Sequence, residues 1–297
     1  MADTLDFAPK KLQIAAVDGL VLRGRVYEPE ALRCTILVLG GIGVPQRAFR
    51  HFGAWCAPRG VRVVTVDYRG MGESPRDDAA LETATLTSWA TLDAVGALRF
   101  VERTWPERPP VLLGHSFGGQ VLGFSDEFRR LGAAVLVASQ FGEAAYWDGL
   151  ERLKISAYWH LILPGAAALF SKQVPGWTGI GEPIPTGVAR EWALWGRSRG
   201  WSLAHVPGVA ERYAAFDRPL RAYAISDDKI APPRAVSGLL ERFRASKPER
   251  IDITPGELGM SKLGHLGLFR PGAEPIWQQL TDFAAAQSLL PSVRNAV

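Results

Sequence analysis

Val111-Leu112-Leu113-Gly114-His115-Ser116-Phe117-Gly118-Gly119 carries a serine between closely spaced glycines, directly after an apolar run. Three apolar β-formers lead into the pattern G-x-S-x-G, and Gln120 to Phe124 resume a spacing compatible with a helix. The reading is strand, sharp turn, helix, with Ser116 at the apex. A strand and a helix joined so tightly pass close together, which requires small residues on either side of the serine and a strained backbone at the apex. Gly114 and Gly118 supply the smallness, and Gly119 extends it.

The rest of the chain sets bounds on what that turn can serve. Its 297 residues suffice for one large α/β domain with an insertion and a sizeable core. A hydrophobic content of 47% and a charged content of 22% describe an ordinary globular protein. The net charge of +4 is mild and the basic residues are scattered, which argues against nucleic acid as a partner. Cys34 and Cys56 fall in a predicted strand and a predicted helix, as small buried hydrophobes and not as a disulfide. Met1 to Asp6 lacks the pattern of a secretory signal, and the apolar stretch from Leu161 to Phe170 is short and interrupted by Pro164 and Gly165. No membrane span and a cytoplasmic location are therefore expected.

Taken in order, Leu12 to Ala16 and Leu20 to Tyr27 alternate around Asp18-Gly19 as an antiparallel hairpin. Cys34 to Leu39 is a nearly continuous apolar run, the pattern of a central strand covered on both faces. It ends in Gly40-Gly41-Ile42-Gly43-Val44-Pro45, which has neither the spacing of a dinucleotide fingerprint nor the Gly-Lys-Ser/Thr of a phosphate-binding loop. Val61 to Val66 is a further strand, running into Asp67-Tyr68-Arg69-Gly70-Met71-Gly72-Glu73-Ser74. Asp67 and Arg69 read as a buried salt bridge holding this turn. Leu81 to Glu102 has helical periodicity and stops before the proline cluster at 106, 109 and 110. Ala133 to Ala138 is another strand. Strand and helix alternate throughout, which argues a mostly parallel, doubly wound sheet.

The alternation then stops. From about Gln140 to Phe216 no clear strand is visible, Pro164, Pro175, Pro183 and Pro185 break the segment into short helical pieces, and six of the ten tryptophans fall here. Trp147, Trp159, Trp177, Trp192, Trp195 and Trp201 read first as packing for an inserted helical piece and second as lining for an apolar pocket. The core resumes with a strand at 218–225, another at 251–254, and a closing helix at 275–287.

The turn around Ser116 and the sequence of elements resemble the α/β-hydrolase family, whose elbow follows its fifth strand. The resemblance implies one core domain, residues 1–139 and 217–297, with a helical, tryptophan-rich cap at 140–216 inserted after the sixth strand. It also implies an order along the chain: oxyanion loop, serine, acid, histidine. The family's His-Gly-x corresponds to Gly40-Gly41-Ile42; glycine replaces the common histidine, but the donor is a backbone group, so the Ile42 N–H can serve together with that of Phe117. Of His51, His115, His160, His205 and His265, only His265 follows every candidate acid, within Gly264-His265-Leu266-Gly267. Asp228 stands four residues before Pro232, the family's spacing after its penultimate strand, with the adjacent Asp227 as runner-up. His115 reads as a brace for the turn.

Over nearly its whole length the chain is also similar to a bacterial branch of predicted α/β-hydrolases. The shared marks are Gly43 to Arg47, Asp67 to Ser74, Glu191-Trp192-x-x-Trp195-Gly196-Arg197, and Gly264 to Arg270. The implied protein is a cofactor-free, metal-free serine hydrolase of a small acyl or ester substrate, with Ser116 as nucleophile, His265 as base and Asp228 as acid. An acyltransferase, thioesterase, amidase or lactonase would use the same residues. From a different class, a small-molecule-binding protein that has lost the chemistry would keep the same fold.

Overall fold

Each apolar run of the sequence forms a strand of one sheet in the computed structural model, which describes residues 8–176 and 181–288. Met1 to Asp6 and Trp177 lie outside the described residues. The strands are β1 (Lys10–Ala15), β2 (Val21–Tyr27), β3 (Cys34–Leu39), β4 (Val61–Val66), β5 (Val111–His115) and β6 (Ala133–Val137), followed after the insertion by β9 (Leu220–Ile225) and β10 (Glu249–Ile253). Between these two groups the insertion contributes β7 (Gln173–Val174) and β8 (Ile184–Pro185), which form a separate antiparallel pair. The main sheet has eight strands in the order β1-β2-β4-β3-β5-β6-β9-β10. The β1–β2 and β2–β4 pairings are antiparallel, and every later pairing is parallel.

Burial follows from this position in the sheet. Every residue of β3, β5 and β6 is buried, as expected where helices cover both faces of a parallel sheet. Strand β2, nearer the edge, alternates in its exposure. The strand order reverses direction around β3 and β5, and in open α/β sheets the crevice for a ligand lies beyond the carboxyl ends of the strands at such a point. Ser116 directly follows β5.

Three local expectations are corrected by the structure. The helix read over residues 81–102 is interrupted: Asp78–Glu82 ends at Thr83, and Thr85 starts a new helix by exchanging capping hydrogen bonds with Ser88. The insertion contains the β7–β8 pair, too short to show a period in sequence. Pro164 does not break its helix, because Gly149–Ala157, Tyr158–Ile162 and Leu163–Leu169 follow one another without a gap. The middle piece is a wide π turn, and such a turn re-spaces the backbone ladder so that a proline without an N–H can follow it.

The turn after β4 is held differently from the salt bridge read between Asp67 and Arg69. The Arg69 guanidinium is buried against the Asp93 carboxylate, which receives its Nε at 2.8 Å and its Nη2 at 2.6 Å, and it reaches Asp18 in the β1–β2 hairpin at 2.8 and 2.9 Å. Asp67 accepts hydrogen bonds from the backbone and side-chain amides of Gln46 at 2.6 and 2.9 Å, and from the Glu73 N–H at 2.8 Å. Arg69 therefore joins the hairpin to the helical layer, and Asp67 joins the turn to the segment after β3.

Within the insertion, Trp147, Trp159, Trp195 and Trp201 are buried and Trp192 is half-buried. Trp159 packs edgewise or tilted against Tyr158, Trp192 and Trp201, and Trp195 against Phe124 and Trp201, with ring centroids 5.1 to 5.9 Å apart. These rings pack the segment between β6 and β9 together and join it to Phe124 after Ser116, within one continuous hydrophobic core. Cys34 and Cys56 are buried free thiols, and burial pushes the Cys34 thiol up to about 11. Among the described residues no helix is long and apolar enough to cross a membrane.

Candidate functional site

Ser116 sits at φ 53°, ψ −119°, a conformation a non-glycine residue adopts only where its surroundings impose it. Its N–H is held by the Val137 carbonyl at the end of β6, at 3.0 Å. The short helix Phe117–Gln120 begins at once behind it. A Cβ at Gly114 would stand 2.5 Å from the Gly119 Cα, and one at Gly118 would collide with the Leu39 carbonyl. Strand and helix pass so near each other that only glycine fits at these two positions.

The glycine-rich loop after β3 crosses directly over the serine. A Cβ at Gly41 would lie 2.8 Å from the Ser116 Cβ and 3.3 Å from its Oγ, so the backbone at Gly41 passes beside the serine. Among the described residues the Ile42 N–H has no acceptor. Phe117 occupies the first helical position, where an N–H has no partner within the helix. Among the described residues, neither the Ile42 N–H nor the Phe117 N–H has a backbone acceptor outside its own element.

His265 arrives from the short helix Gly264–Phe269, beyond β10, and its side chain is 13% exposed. Its Nδ1 lies 2.7 Å from Oδ2 of Asp228, whose side chain is completely buried at the end of β9. The other Asp228 oxygen accepts the N–H groups of Ile230 and Ala231 at 2.8 and 3.0 Å. Asp227 turns elsewhere, accepting the N–H groups of Leu263 and Gly264 at 3.0 and 2.9 Å. Of the two neighbouring acids, Asp228 is the one that meets His265. Successive side chains at a strand end diverge, which is why one cannot do both.

His115, one residue before Ser116, is fully buried between Phe49 and Phe269, and its ring centroid lies 4.7 Å from that of His265. Its Nε2–H donates to the His265 backbone carbonyl at 2.9 Å. Burial, with a smaller contribution from His265, lowers its pKa to about 3, so the ring is neutral and takes no proton near neutral pH. His160 and His205 are spent on Ser156 and Ser198 in the insertion. Of the residues singled out in the sequence, Ser116, Asp228, His265, Ile42 and Phe117, the structure joins Asp228 to the His265 ring and lays the loop of Gly41 and Ile42 against Ser116, which Phe117 follows. Sequence reading missed the contacts of Asp227 and of the His115 ring, which leave no pattern in sequence because both partners are backbone groups of a distant loop. Among the described residues no group of three or more His, Cys, Asp or Glu is placed to hold a metal ion.

The alpha/beta hydrolase family matches residues 36–274, from β3 to the start of the closing helix. The chain belongs to that family. Membership supports a hydrolase activity in general. Among curated proteins none matches the hydrolase in sequence. Several solved structures share its fold. DcsB, in complex with its substrate analogue, is 18% identical with a TM-score of 0.65, covering 95% of this chain and 99% of that one. Est1E from Butyrivibrio proteoclasticus, with ferulic acid bound, is 16% identical with a TM-score of 0.63, covering 93% and 99%. A thermophilic esterase from Thermogutta terrifontis is 16% identical with a TM-score of 0.59, covering 95% and 99%.

Proposed function

We propose that this alpha/beta hydrolase cleaves a carboxylic ester or related acyl compound through Ser116, His265 and Asp228. The observation that carries the reading is the 2.7 Å hydrogen bond between His265 Nδ1 and the buried Asp228 carboxylate, on a histidine whose ring centroid lies 4.7 Å from that of His115, the residue before the serine at the apex of the turn. A serine hydroxyl is a poor nucleophile near neutral pH and needs a base that is itself oriented by an acid. With Nδ1–H donated to Asp228, the Nε2 of His265 is left free to take the Ser116 proton. The Ser116 oxygen then forms a bond to the substrate carbonyl carbon, and the carbonyl π electrons move onto oxygen.

The resulting oxyanion is received by the N–H groups of Ile42 and Phe117. The tetrahedral species collapses to an acyl-serine as His265 passes its proton to the leaving alcohol. Water, deprotonated by the same histidine, bonds to the acyl carbon, and His265 returns that proton to the departing Ser116 oxygen as the acid is released. Asp228 stabilises the imidazolium in both halves without taking its proton. The neutral His115, though next to the nucleophile, has no part in the proton transfers.

The insertion, residues 140–216, is the cap of this site in the same reading. Its Glu182 N–H donates to the Gly43 carbonyl at 2.9 Å, and the Glu182 carboxylate pairs with Arg47 and Arg76, so the insertion is joined to the loop that carries Ile42. Esterases among the structures of this fold agree with an ester substrate. The test is hydrolysis of p-nitrophenyl esters from acetate to dodecanoate by the parent and by Ser116→Ala. The variant should be slower by about a million-fold. Equal rates in the two proteins, or no turnover of any ester, thioester or lactone, would sink the proposal.

A further inference from the structure

Two side chains in contact with the His265 segment take no part in the proton transfers above. Asp227 places both carboxylate oxygens on successive amides, those of Leu263 and Gly264. His115 places Nε2–H on the carbonyl of His265 itself. The backbone of three consecutive residues is thus gripped from two elements of the core: the end of β9 and the last residue of β5.

We infer that Asp227 and His115 are positioning residues that set the placement of the His265 imidazole relative to Ser116. The inference rests on the reading of Ser116, His265 and Asp228 given above. Asp228 orients the ring about its own axis but does not hold the chain that carries it. That chain leaves β10 at Ile253 and reaches Gly264 through a connection whose only capped turn is Pro255–Leu258. Misplacing a reacting group by 1 Å costs about a hundredfold in rate.

The chemistry of the two grips matches their targets. Two amide donors require an acceptor with two oxygens, which a carboxylate provides. A carbonyl requires a donor, so the proton of His115 is on Nε2, and its buried Nδ1 has no hydrogen-bond partner among the described residues. His115 is joined to Ser116 by a single peptide bond, so its hydrogen bond couples the backbone of the base to the backbone of the nucleophile.

The experiment measures kcat and KM for p-nitrophenyl ester hydrolysis by Asp227→Ala, Asp227→Asn, His115→Leu, His115→Gln and Ser116→Ala, with thermal unfolding of each. Asp227→Ala and His115→Leu should lose about a hundredfold in kcat with KM unchanged. His115→Gln, whose amide N–H can reach the same carbonyl, should recover most of the loss; Asp227→Asn, which keeps one acceptor oxygen, should fall between alanine and the parent. If Asp227→Ala does not fold, the asparagine variant carries that half. Parent-like kcat in the alanine and leucine variants, while Ser116→Ala is inactive, overturns the inference and leaves the hydrolase reading standing. Equal losses in His115→Leu and His115→Gln overturn the role of the His115 donor. Full activity in Ser116→Ala overturns the hydrolase reading instead.

Discussion

Asp228 and Asp227 are adjacent in the chain and hold the same histidine by different handles: Asp228 binds the His265 ring at 2.7 Å, and Asp227 binds the backbone amides of the two residues before it. Replacing Asp228 by Asn should lower kcat by about 10⁴-fold, because the amide no longer stabilises the imidazolium and permits the wrong tautomer. Asp227→Ala, acting only through position, should be about a hundred times less damaging. Steady-state kinetics on one ester distinguish the two, and equal losses would mean that the assignment of acid and brace is wrong.

His115 adds a pH dependence to stability. Its pKa is about 3 when folded, depressed mainly by burial, and near 6.5 in an unfolded chain. Between these values the unfolded state binds the extra proton. Stability therefore falls as pH drops below about 6.5, by up to about 1.4 kcal/mol per pH unit from this group. Urea unfolding from pH 8 to pH 4 should show that slope in the parent and a shallower one in His115→Gln, which does not titrate; identical slopes would refute it.

Arg69 and Asp93 are both buried, and burial pushes the Asp93 carboxyl up to about 6 against the opposing pull of Arg69. Arg69→Met removes the counter-charge and should cost about 3–5 kcal/mol of unfolding free energy. A carboxyl with a raised folded pKa is tolerated while protonated and becomes costly as pH rises through that value. The deficit, read from urea melts, should accordingly be larger at pH 8 than at pH 5.

The insertion is joined to the elbow helix by Gln120. Its Oε1 accepts the Trp201 Nε1–H at 3.1 Å, its Nε2 donates to the Gln140 carbonyl at 2.8 Å, and its own carbonyl accepts the Tyr213 hydroxyl at 2.5 Å. Trp201→Phe keeps most of the ring packing but leaves a buried amide oxygen without its donor, at a cost of about 1–3 kcal/mol. Chemical denaturation should show that loss; a change below about 0.5 kcal/mol would assign Trp201 to packing alone.

The amino-acid order by itself determined what depends on neighbours along the chain. Apolar runs such as Cys34 to Leu39 and Val111 to Leu113 specify buried strands, and the glycines around Ser116 specify a turn in which helix and strand nearly touch. The turn at Ser116 was legible from that local pattern, and the pairing of Asp228 with His265 from the order that the family resemblance implies. What lay beyond reach were pairings whose members are far apart in sequence. Arg69 faces Asp93 and Asp18 instead of the nearby Asp67, because the hairpin and the helical layer converge on it from both sides. The helix containing Pro164 continues because a wide turn before it absorbs the missing hydrogen bond. The choice between Asp227 and Asp228 was decided by which side chain faces the His265 ring once β9, β10 and the following loop are packed together, and adjacency in sequence cannot express the direction in which a side chain leaves the end of a strand.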